Sequence, residues 1–94
     1  MEKYIKIYMD YFGYQIKEDI VCEVKADGTP GVNIHHINGR IGKNKLDING
    51  LIALNYNLHD AIHTQSPPYT KAELMQIHAE FMVKHGKHVI KHLL

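Results

Sequence analysis

Apolar positions recur at spacings of three and four through Tyr4, Ile5, Tyr8, Tyr11 and Phe12, which predicts a short amphipathic helix over 3–12. Gly13 follows where a helix C-terminus favours a residue tolerant of positive φ. The run IVCEVK over 20–25, the turn-forming ADGTPG and the branched VNIHHI over 32–37 read as a β-hairpin. The stretch NGRIGKNKLDING over 38–50 is rich in glycine, asparagine and basic residues, and reads as an irregular surface loop. LIAL over 51–54 is a short apolar run and is expected as a short strand. A helix is expected from Tyr56 to His63, with Asn55 or Asn57 as N-cap, and Ser66-Pro67-Pro68 ends it.

Thr70 and Glu73 have the form of a capping box, so a longer helix is expected over about 70–85. Its apolar stripe is Leu74, Ile77, Phe81 and Met82, and Gly86 is its stop. The final KHVIKHLL adds a helical turn or two, or frays. This order of elements describes a small α+β fold in a single domain over 1–94.

Hydrophobic residues at 45% and charged residues at 22% exclude a disordered or fibrous chain. No apolar run approaches the length of a membrane span, and MEKYIKIYMDYF is unlike a signal peptide, so a cytoplasmic protein is expected. The lone Cys22 excludes an internal disulfide and a thiolate zinc site, and reads as a small buried hydrophobe. The net charge of +1 gives no general attraction to polyanions. Phosphate affinity therefore falls to local clusters: Arg40, Lys43 and Lys45 in the loop, and the acid-free tail with Lys84, Lys87 and Lys91.

Histidine is the outlier, with 8 in 94 residues. His35 and His36 are adjacent in an extended segment, so their side chains face opposite ways and take different roles. His59 and His63 are one helical turn apart on one face, the arrangement for two imidazoles sharing a metal. One ligand from the strand and two from the helix make a three-histidine site with open coordination positions. His78 reads as a packing residue, and the tyrosine stripe Tyr4, Tyr8 and Tyr11 as core with polar tips reaching water.

The string IHHINGRIGKNKLDINGLIALNYNLHDAIH resembles the HNH endonuclease family, whose ββα-metal motif leads from a histidine pair through a glycine-bearing loop and a leucine-rich turn to a histidine-bearing helix. The resemblance covers about 22–64, flanked by N- and C-terminal helices. It implies a DNA endonuclease of the phage or mobile-element kind that uses one divalent ion: Mg, Mn, Ni or Zn. On this resemblance His35 and His59 match metal ligands and His36 the base that activates water. His63 completes the metal site or touches phosphate, and Arg40, Lys43 and Lys45 neutralise the DNA backbone. Gly50 stands where the family has its base-orienting asparagine, and Asn49 beside it takes that catalytic role if the loop shifts by one. A homodimer would allow so small a nuclease to cut both strands.

Cys22 has no second cysteine at Lys25, so the family's zinc knuckle is absent and core packing replaces it. The alternative reading is a catalytically weakened or inactive HNH-like module that binds nucleic acid. A zinc hydrolase, on His59-Asp60-Ala61-Ile62-His63, departs from its pattern because Asp60 stands in place of glutamate.

Overall fold

A computed structural model describes residues 1–25, 27–31 and 33–86. Among them are three helices and one two-stranded antiparallel sheet, an α+β fold. Helix α1, Lys3–Phe12, buries Tyr8, Met9, Tyr11 and Phe12 and leaves Lys6 and Asp10 outside, paired at 3.3 Å. Gly13 ends it in the left-handed region, at φ 78, with its N–H on the Met9 carbonyl.

Strand β1, Asn33–His36, pairs with β2, Leu51–Leu54, in the register Asn33 with Leu54, Ile34 with Ala53, His35 with Ile52 and His36 with Leu51. The hairpin expected between 20–25 and 32–37 is reduced to a single bridge, Val21 with Pro30. The cause is Glu23. Its side chain turns into the core and its N–H donates to the Ala53 carbonyl at 3.0 Å, so the chain leaves the ladder and β2 takes the place beside β1. The loop between the strands contains two short 3₁₀ turns, Gly42–Leu46 and Ile48–Gly50.

Every residue of β2 is buried, because both of its faces are covered. Leu51 and Ala53 join Ile34 in a cluster with α1, and Ile52 and Leu54 join Cys22, Ile37 and Leu74 in a second one. Residues opposite each other on paired strands share a face. The register therefore places His36 on the α1 side of the sheet and His35 on the other.

Helix α2, Tyr56–Ile62, starts at Asn55, whose Oδ1 accepts from the Leu58 N–H at 2.9 Å. It ends one residue earlier than the spacing predicts, with His63 as its C-cap and the Thr64 hydroxyl donating to the Ala61 carbonyl. Helix α3, Lys71–His85, has both capping-box bonds between Thr70 and Glu73, and it buries Leu74 and His78. Gly86 ends it in an extended conformation rather than a left-handed turn, with φ −69, and close packing is what requires glycine there. A Cβ there would stand 2.5 Å from both the Met82 carbonyl oxygen and the Tyr11 ring. The expected turns over 87–94 lie outside the described residues. Among the described residues, no helix is long and apolar enough to cross a membrane.

Candidate metal centre

The alternation of β1 sends His35 toward α2, where His59 and His63 sit one turn apart. The ring centroid of His35 lies 5.3 Å from that of His59 and 5.2 Å from that of His63. The His59 and His63 rings are 4.7 Å apart, and their Nε2 atoms approach to 3.2 Å. One ligand nitrogen from each of the three lies within 4.8 Å of the other two, so the group could hold a metal ion. Two facing imidazole lone pairs repel, so the His59 and His63 contact needs a proton or a cation between the nitrogens. The three rings, with Ile34, His36, Gly39 and Arg40, line one pocket of about 270 Å³.

Burial disfavours a charge on His35, and the neighbouring His59, His63 and His36 add to this, pushing its pKa down to about 4. His59 is lowered as well, by burial first and His63 second. At neutral pH His35 is therefore an uncharged imidazole, the form a metal ion requires. Three imidazole nitrogen donors of this kind could hold a divalent ion.

His36 occupies the opposite face and is buried. Its Nε2 lies 3.1 Å from the Lys45 carbonyl oxygen. A carbonyl only accepts, so this nitrogen carries the proton and Nδ1 holds the lone pair in the neutral ring. Burial favours that neutral ring and Arg40 and Lys45 reinforce it, while the carbonyl pulls the other way; the net effect lowers the pKa. The Tyr4 ring packs edge-on against His36, 4.5 Å between centroids.

The remaining site residues named from the sequence divide. Arg40 lines the pocket, with its guanidinium 5.2 Å from the centre of the Tyr4 ring and its Nη2 donating to the Tyr4 hydroxyl at 3.4 Å. Lys43 and Lys45 are exposed on the following 3₁₀ turn, and neither side chain lines the pocket. Asn49 is exposed, and its backbone N–H and side-chain amide both donate to Asp47 Oδ1, at 3.0 and 3.1 Å. The hydrogen-bond partner of His36 is thus the backbone carbonyl of Lys45, while Asn49 donates to Asp47.

Three features escaped the sequence reading. The Lys45 carbonyl leaves no trace in a sequence, because every residue has one. Tyr4 belongs to the apolar stripe of α1, and nothing in that pattern marks it as a neighbour of a loop arginine. The third is a buried polar network in which Glu23 Oε2 accepts from the Tyr8 hydroxyl at 2.6 Å and from the Ala53 N–H at 3.2 Å. His78 Nδ1 lies 2.8 Å from Glu23 Oε1, and His78 Nε2 donates to the Ile48 carbonyl at 2.6 Å. His78 is the packing residue expected, but the tip of Tyr8 reaches Glu23 rather than water. The signal available for this network was one carboxylate inside the apolar run IVCEVK.

Comparison with protein-family models, with curated proteins and with solved structures returns no match.

Proposed function

We propose that the chain is a metal-dependent endonuclease that hydrolyses phosphodiester bonds in DNA, with His36 as general base. The observation that carries the reading is the division of labour across β1. His35 joins two helix histidines as a donor set, while the adjacent His36 lines the same pocket with its Nε2 committed to a backbone carbonyl. The resemblance of the histidine pair, loop and helix to HNH nucleases supports the same assignment.

In this mechanism His36 Nδ1 takes the proton of the attacking water, which it can do because burial and the nearby cations keep the ring neutral. His35, His59 and His63 would hold the divalent ion, which when bound supplies positive charge for the scissile phosphate and the leaving oxygen. Arg40, at the rim of the pocket, neutralises a non-bridging phosphate oxygen. Lys43 and Lys45 contact phosphates further along the strand, from outside the pocket.

The test is incubation of the full chain with supercoiled plasmid in the presence of Mg²⁺, Mn²⁺, Ni²⁺ or Zn²⁺. Nicking or linearisation that requires the ion and disappears in His36→Ala supports the proposal. Retardation of DNA without cleavage under all four ions replaces it with a binding module, and neither effect removes nucleic acid from the account.

A further inference from the structure

Helix α1 lies outside the segment that resembles a nuclease motif, yet it supplies a side chain that touches both His36 and Arg40. The Tyr4 ring stands 4.5 Å from the His36 ring at an interplanar angle of 71°, and it also lies under the Arg40 guanidinium, 5.2 Å from ring centre to cation. The Tyr4 hydroxyl accepts from Arg40 Nη2 at 3.4 Å.

Tyr4 thus touches two groups that each make one side-chain hydrogen bond among the described residues. The single hydrogen bond from His36 to the Lys45 carbonyl fixes one ring atom but leaves the imidazole free to tilt about that bond, so packing against the ring must set its plane. Arg40 is exposed and sits between Gly39 and Gly42, which have φ of 80 and 62. A long side chain on such a loop samples many rotamers unless an aromatic face confines it. Among the described residues no carboxylate pairs with Arg40, so its charge is left for an anion.

We propose that Tyr4 is a positioning residue of this site: its ring sets the plane of His36, and its face and hydroxyl hold Arg40 at the pocket, fixing base and phosphate-binding cation relative to each other. The inference rests on the nuclease reading. It assigns to α1 a part in the chemistry that the strand, loop and α2 do not provide by themselves.

The experiment is steady-state cleavage of duplex DNA by the full chain with its activating ion, for wild type, Tyr4→Leu, Tyr4→Phe, Arg40→Gln and Tyr4→Leu/Arg40→Gln, with bound ion per chain measured for each. Tyr4→Leu should bind the ion as wild type does, yet lose about tenfold or more in kcat, because a misplaced base is costly even when it is present. Tyr4→Phe keeps the ring, so kcat should return to within about twofold of wild type, while KM stays raised about two- to fivefold through the lost hydroxyl contact with Arg40. Arg40→Gln should cost much less in the Tyr4→Leu background than in wild type.

A merely structural Tyr4 would lower the amount of ion-binding chain and leave kcat per bound ion unchanged. That result overturns the inference, and so does independent multiplication of the Tyr4 and Arg40 effects. If Tyr4→Leu proves unfolded and binds no ion, Tyr4→Phe decides through its KM, and a KM equal to wild type refutes the role. Wild-type chain that cuts no DNA overturns the nuclease reading itself, an outcome separate from wild type cutting while the Tyr4 variants keep pace with it.

Discussion

His36 presents its Nε2 to the backbone carbonyl of Lys45 at 3.1 Å, across a loop that begins where β1 ends. Nε2 is therefore anchored by an atom that no side-chain substitution removes, and the free lone pair is assigned to Nδ1 whatever residue occupies position 45. In the same loop the Asn49 amide is committed to Asp47.

Asn49→Ala should then retain DNA cleavage to within about threefold, whereas His36→Ala should lose about 10²-fold or more, the usual contribution of a general base. The two variants assayed side by side for plasmid nicking separate the alternatives. A collapse of activity in Asn49→Ala comparable to that of His36→Ala would return the orienting role to the asparagine and contradict the geometry around His36.

Ion binding should be visible in stability. A ligand that binds only the folded chain at a hundredfold excess over its dissociation constant adds about 2.7 kcal/mol. For a domain of this size that corresponds to a rise in melting temperature of about 10 °C or more. Zinc or nickel should produce the shift, EDTA should reverse it, and His35→Ala or His59→Ala should abolish it. An unchanged shift in both variants would mean that the ion binds elsewhere.

The parts legible in the sequence are those fixed by short-range periodicity. The spacing of α1, the Thr70 and Glu73 box and the one-residue and four-residue offsets of the histidines are local facts; they put His35 and His36 on opposite sides of a strand and His59 and His63 one turn apart, while the meeting of His35 with the helix pair belongs to the fold. Strand pairing was not legible. ADGTPG carries strong turn chemistry, and Cys22 N–H reaches the Thr29 carbonyl at 2.7 Å, but the ladder stops where Glu23 leaves it. The choice of β2 as the partner of β1 depends on covering LIAL on both faces, which is a property of the assembled core. The surroundings of His36 come from a backbone carbonyl and from a helix about thirty residues away in sequence, and hydrophobic pattern encodes neither.

The depressed pKa of His35 makes the ion-free protein sensitive to acid. The unfolded chain binds a proton at His35 near pH 6.5, while the folded chain resists it down to about 4, so in that window the unfolded state holds more protons. Stability contributed in this way is present above pH 6.5 and is lost as pH falls toward 4. Denaturation of the full chain in EDTA should show a decline over that window, and His35→Gln should flatten it. A decline of the same size in the variant would place its origin in other groups.

The Glu23 and His78 pair should behave as one unit. His78 Nε2 must carry a proton to meet the Ile48 carbonyl, and its Nδ1 is hydrogen-bonded to the Glu23 carboxyl at 2.8 Å. Burial first, and the Glu23 charge second, hold the Tyr8 phenol in its protonated form, so it remains a donor to the same carboxyl. Removing either partner alone strands a fully buried polar group, at a cost of about 3–5 kcal/mol. Glu23→Leu and His78→Leu should each show a loss of that order in urea denaturation, while the double variant, with no stranded ion, should lose clearly less than their sum. Where a single variant is already unfolded without urea, Tyr8→Phe supplies the milder probe, with an expected loss of about 1 kcal/mol for one buried hydrogen bond. Additive losses in the double variant would mean that the two residues stabilise the core independently, despite the 2.8 Å contact between them.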